Sequence, residues 1–106
     1  MDLESYAFVL LRRPDGAPEY PEAELERIQA GHLANLAALG AAGKLLAAGP
    51  FSEQPDESVR GLCVFATSRD EARELMSRDP AVLAGRLEAD VMTWWTERGT
   101  VSFHRR

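Results

Sequence analysis

His32 and Asp79 are the residues of this 106-residue chain whose types and settings offer chemistry. With a helix taken over roughly Pro21 to Ala42, Leu25, Ile28, Leu36 and Leu39 recur at the three- and four-residue spacing of one helix face. At about 100° per residue, His32 falls near the centre of that apolar stripe, between Ile28 and Leu36. Leucine would pack there at lower cost, so an imidazole in that place is a candidate general base. Such a base needs a partner on its second ring nitrogen to hold the tautomer and raise its basicity. Asp79 is the best candidate: Ala72, Leu75 and Met76 form the inward face of a second helix, and Asp79 continues that face beyond Met76. Each residue also has a purely structural reading. His32 would then bond a backbone carbonyl or a water, and Asp79 would cap the turn that begins at Pro80. The sequence leaves these alternatives open.

Other residues are weaker candidates. Arg60, beside Gly61 at the start of a strand, either offsets an anionic ligand or is a free surface arginine. Gly49-Pro50-Phe51 is a turn that would shape a pocket wall and bring backbone close to a ligand. Trp94 and Trp95 point to opposite faces of the last strand; one packs in the core or at a subunit contact, and either could border a pocket. Glu88 and Asp90 share one side of that strand with Arg86 and read as a solvated face. Cys63, within Leu62-Cys63-Val64-Phe65, reads as a buried, inert thiol. A single cysteine makes no intrachain disulfide, and two distant histidines make no metal motif. P-loop, G-x-G-x-x-G and G-x-S-x-G patterns are absent, so neither a metal nor a cofactor is expected.

The elements that must position these residues follow from local signals. Ser5 to Leu11 is a strand, and Arg13-Pro14-Asp15-Gly16-Ala17-Pro18 is a turn. Pro21 suits the first helical turn, and Gly40 or Gly43 supplies a left-handed cap at the helix end. Lys44 to Ala48 and Val59 to Thr67 are the second and third strands, separated by a polar loop over Ser52 to Ser58. Ser68-Arg69-Asp70-Glu71 has the form of a capping box and opens a helix through Met76, which Asp79-Pro80 ends. Ala81 to Gly85 adds a helical turn, and Arg86 to Thr96 is the fourth strand. The order is βαββαβ: an α+β, ferredoxin-like fold with a four-stranded antiparallel sheet and two helices on one face, in a single domain over 1–106.

Both faces of the first strand are apolar, Tyr6, Phe8 and Leu10 on one side and Ala7, Val9 and Leu11 on the other. The third strand repeats this with Leu62, Val64 and Ala66 against Cys63, Phe65 and Thr67. Two helices cover only one face, and a single-layer sheet ordinarily has a polar second face. The second cover is most simply another copy of the chain, so a homodimer with sheets packed face to face is expected. The formal net charge of −5 argues against nucleic acid as a partner, because phosphate needs a basic surface. No leader-like segment and no apolar run near the roughly 18 residues of a membrane span is present, so a cytoplasmic protein with no membrane partner is expected.

Taken in order, these residues resemble the YCII-related family. The resemblance rests on His32 with its spacing to Leu36 and Leu39, then Gly43-Lys44-Leu45, Ala48-Gly49-Pro50-Phe51 and Arg60-Gly61-Leu62. It continues through Glu71-Ala72, Asp79-Pro80 and Ala84-Gly85 to the tryptophan late in the last strand. It implies a dimeric α+β barrel and a histidine–aspartate dyad, which carries over to His32 and Asp79. At least one such protein is a dehydrochlorinase acting on a chlorinated hydroxyquinol, and the fold is similar to that of muconolactone isomerase. This chain departs from the pattern at Ala81, where an aromatic residue often follows Asp-Pro, and at Arg86, where an apolar residue is usual; both reshape a pocket. Two expectations follow. One is a small cofactor-independent enzyme of lyase or isomerase type, dehydrochlorinase-like, acting on a small cyclic or carbonyl substrate. There His32 and Asp79 would be catalytic, and Gly49, Pro50, Phe51, Arg60 and Trp94 would surround the substrate. The other is a non-catalytic dimeric module that binds a small ligand or a partner protein.

Overall fold

Strand β1 (Leu3–Arg12) is apolar on both sides because it runs through the middle of a sheet. In the computed structural model, which describes residues 1–104, it is followed by α1 (Glu22–Ala41), β2 (Leu45–Pro50) and β3 (Val59–Phe65). Then come α2 (Arg69–Ser77), the short α3 (Pro80–Leu83) and β4 (Glu88–Glu97). The sheet order is β2-β3-β1-β4 with every neighbour antiparallel, the ferredoxin-like α+β arrangement.

Several element ends differ from the sequence expectation, three of them for a clear local reason. β2 runs on through Gly49 and Pro50, which an edge strand tolerates because one side of its backbone has no ladder partner to lose. β4 begins two residues later than Arg86, because the Arg86 and Leu87 N–H groups both donate to the carbonyl of Ala81 in α3. β3 stops at Phe65, just before Ser68 takes up the start of α2 and accepts from the Glu71 N–H at 3.1 Å. Only that half of the capping box forms, since the Glu71 carboxylate pairs with Lys44 instead. At the end of α1 it is Gly43, not Gly40, that turns left-handed (φ 76°). Its N–H donates to the Gly40 carbonyl, and the Lys44 N–H to that of Leu39, a Schellman closure.

Ala7, Val9 and Leu11 meet Cys63 and Phe65 of β3 and Val91 of β4 on the inner face, under Ala72 and Met76 of α2. Leu36 and Leu39 of α1 and Leu75 of α2 pack on the same cluster. The register places Tyr6, Phe8 and Leu10 on the outer face beside Trp94, Met92, Val64 and Leu62. There the Trp94 ring lies 5.8 Å from Tyr6 and 6.5 Å from Phe8, and Phe103 closes on Tyr6 at 5.2 Å. The outer face is thus apolar across three strands, and both long helices lie on the other side. Among the described residues, no helix is long and apolar enough to cross a membrane.

Candidate active site

The Asp79-Pro80 step places the first functional side chain. A residue before proline is held extended, and Asp79 has φ −65° and ψ 133° between the end of α2 and the first turn of α3. That kink turns its carboxylate inward, where it is fully buried. Oδ2 accepts from the Ala81 N–H at 3.0 Å, so Asp79 does cap α3. The same oxygen lies 2.8 Å from Nδ1 of His32, and Oδ1 accepts from the Asn35 side-chain amide at 2.9 Å. The two readings of Asp79 left open by the sequence are therefore one arrangement: a single carboxylate caps a turn and holds an imidazole.

Burial by itself would raise the Asp79 carboxyl. The hydrogen bonds from His32 and Asn35, the His32 charge and the Ala81 N–H outweigh it and hold the group below the usual carboxylate range. An ionised Asp79 can only accept, so Nδ1 of His32 carries the proton of that bond. The other ring nitrogen, Nε2, has no hydrogen-bond partner among the described residues. His32 keeps 7% of its surface accessible and lines a cavity of about 490 Å³ between α1 and one end of the sheet, open to solvent on one side. That volume suits a small ring compound.

Of the other sequence candidates, Gly49, Pro50 and Arg60 line this cavity, while Phe51 and Trp94 do not. Trp94 sits on the outer sheet face because its register partner Tyr6 does. Gly61 fixes the nearer wall: a Cβ on it would stand 2.6 Å from the Gly49 carbonyl oxygen, so only glycine allows β2 and β3 to meet there. Cys63 lies in the cavity lining, yet burial and then the Asp79 charge push its thiol up to about 12, leaving a protonated, unreactive group. Glu88 is exposed and Asp90 pairs with Arg12 at 2.6 Å on the outer face.

Sequence reasoning missed Asn35 and Arg13 here, and named Arg86 only as a departure that reshapes the pocket. Asn35 stands one turn after His32, a spacing that was legible as a second ligand for the same carboxylate. Arg13 was hidden in turn chemistry and Arg86 in a strand assignment, yet both line the cavity. Among the described residues, no group of three or more His, Cys, Asp and Glu gathers where a metal ion would sit. What remains is an imidazole held at Nδ1 by a buried carboxylate, in the wall of the cavity.

Fold and site together define a class: a ferredoxin-like α+β domain with a histidine–aspartate pair in the wall of a cavity between helix and sheet. The model of the YCII-related domain matches residues 6–95, and this chain belongs to that family. Among solved structures, it is similar to 5-chloro-2-hydroxyhydroquinone dehydrochlorinase from Burkholderia phenoliruptrix AC1100, in complex with 2,5-dihydroxybenzoquinone. The two are 26% identical with a TM-score of 0.53, over 83% of this chain and 92% of that one. A looser likeness (19% identity, TM-score 0.44, over 93% of this chain and 96% of the other) is to a Thermus thermophilus protein described as a putative PII-like signaling protein, and it carries no argument. No curated protein matches the sequence.

Proposed function

We propose that this cavity is the active site of a small cofactor-independent enzyme of lyase or isomerase type, dehydrochlorinase-like, acting on a small cyclic or carbonyl substrate. One observation carries the reading: the His32 ring stands between a buried carboxylate at 2.8 Å and a cavity of about 490 Å³. Nε2 takes a proton from a substrate carbon or hydroxyl. The electron pair of the broken bond moves into a new double bond, and either a leaving group departs or the proton returns at another atom. Asp79 keeps the Nδ1 proton in place and stabilises the imidazolium that forms. A positioned base of this kind contributes about 10²- to 10⁴-fold in rate. Gly49 and Pro50 at the end of β2, with Arg60 of β3, form the binding wall. The ring-bound dehydrochlorinase, at 26% identity over most of both chains, supports the class of substrate.

The same reading assigns the outer sheet face, centred on Phe8, Val64, Met92 and Trp94, to a second copy of the chain, giving the dimeric α+β barrel. An apolar face of this extent is covered by a partner more often than left in water. A buried, protonated Cys63 fits a reducing cytoplasm.

The test uses chlorinated hydroxyquinols as probes under anaerobic conditions, following chloride release and deuterium uptake from solvent. The parent should exceed His32→Gln by about 10²-fold or more, and Asp79→Asn should fall toward His32→Gln. Equal rates in parent and His32→Gln would remove His32 from the mechanism. A parent that binds the probes and leaves them unchanged is the non-catalytic binding module.

A further inference from the structure

The cavity contains more positive charge than a proton-transfer site requires. Its lining includes Arg13, Arg60 and Arg86 and no acidic residue, in a chain whose formal net charge is −5. The topology brings the three together. Arg13 follows the last residue of β1, Arg60 is the second residue of β3, and Arg86 lies just before β4. Both neighbours run antiparallel to β1, so its end lies beside their beginnings, with Arg12 opposite Val59 on one side and Glu88 on the other. Arg12, one residue away on the outer face, pairs with a carboxylate, that of Asp90.

These three do not. Among the described residues none of them has an ion pair; Arg60 and Arg86 donate one bond each to the Glu57 and Pro18 carbonyls. Arg13 carries the largest cost: its Nε is buried and has no hydrogen-bond partner. An unsatisfied donor of a charged group is expensive to keep, and its natural complement is an acceptor that arrives with the ligand. Burial first, then the charges of Arg86 and Arg60, hold the Arg13 guanidinium below its usual range, and an anion between them would relieve that repulsion.

We propose that Arg13, with Arg60 and Arg86 beside it, is an anion-recognition site that receives a carboxylate borne by the ring substrate of this cavity. A carboxylate fits because the guanidinium fork offers parallel N–H donors matched to its two oxygens. The apolar lining from Leu25, Ile28 and Leu36 takes the body of the ring, and the His32 ring faces the same space. The inference rests on the assignment of this cavity as a substrate site and adds the charge of the substrate. Arg13 is a specificity residue in this account, and the proton chemistry stays with His32.

The experiment compares 2-naphthoate with its neutral isostere 2-naphthamide by fluorescence or NMR titration at pH 8. The parent should bind the carboxylate about tenfold or more tightly over the amide, with the preference shrinking as salt rises. Arg13→Gln should lose that preference and leave amide affinity unchanged, and Arg60→Gln should lose part of it. Arg13→Lys should recover only a fraction, since a point charge lacks the fork. The parent's ratio of the two affinities needs no variant to fold. Equal binding of the two probes, no binding of the carboxylate at millimolar concentration, or a preference untouched in folded Arg13→Gln overturns the proposal. His32→Gln separates this inference from the acid–base reading: turnover should vanish while the carboxylate preference stays. A neutral ring substrate turned over without any carboxylate preference would leave the dyad standing and remove the anion site.

Discussion

Replacing Asp79 by alanine tests the arrangement at its buried end, because one truncation removes the acceptor of three hydrogen bonds. His32 Nδ1, the Asn35 amide and the Ala81 N–H lie at 2.8, 2.9 and 3.0 Å from its oxygens. Hydrogen bonds to a charged group contribute about 1.5–3 kcal/mol each, but burying the carboxylate offsets part of that. Breaking a buried pair costs about 3–5 kcal/mol in net terms, and the lost α3 cap falls within that range. We expect Asp79→Ala to lower stability by about 4 kcal/mol, or roughly 15–20 °C in midpoint for a domain of this length. Urea unfolding followed by circular dichroism at pH 7 reads it, with an unchanged slope against denaturant. The pH dependence supplies a second check. The folded Asp79 carboxyl titrates below its unfolded value, so its stabilisation is fully present above the unfolded value and is lost as pH falls through the folded one. The stability gap between parent and Asp79→Asn should therefore hold near neutrality and close below about pH 4. A cost under about 1 kcal/mol for Asp79→Ala, or a gap indifferent to acid, would refute this account of the dyad.

Other expectations are simpler to score. With its thiol pushed up from 9.0 to about 12, Cys63 should alkylate with iodoacetamide about 10³-fold more slowly at pH 8 in the folded protein than in urea. Gly61→Ala should cost about 1–3 kcal/mol by urea midpoint, since the new Cβ meets a backbone oxygen at 2.6 Å and β2 must move away. Phe8→Glu on the outer face should convert a dimeric parent to monomer by analytical ultracentrifugation while the helical signal persists, and a parent already monomeric at micromolar concentration would refute the face-to-face pairing. Arg12→Ala, across from Asp90 at the exposed rim of that face, should change stability by less than about 1 kcal/mol.

Much of the fold was legible in local chemistry. Residues that choose a strand, such as Tyr6 to Leu11, or a cap, such as Ser68, act on neighbours within a turn or a pleat, so their signals survive in one dimension. The two-sided strands announced a sheet with both faces to cover, and the central place of β1 and β3 is what that pattern reflects. Element ends were less legible where a long-range bond decides them. The late start of β4 follows from two N–H groups captured by the Ala81 carbonyl, which no propensity of Arg86 or Leu87 encodes.

For the site, the sequence by itself determined that His32 lies in an apolar stripe and that Asp79 must be extended before Pro80, because helical periodicity and the proline ring are local constraints. Only the tertiary structure decided that the two meet, that Asn35 completes the acceptor, and that Trp94 looks away from the cavity. It also decided that Arg13, Arg60 and Arg86, spread over most of the chain, stand around one cavity. The reason is geometric: a side chain's face is set by the residues beside it, whereas its partners are set by how antiparallel strands return, and that return is written in the packing of the whole sheet.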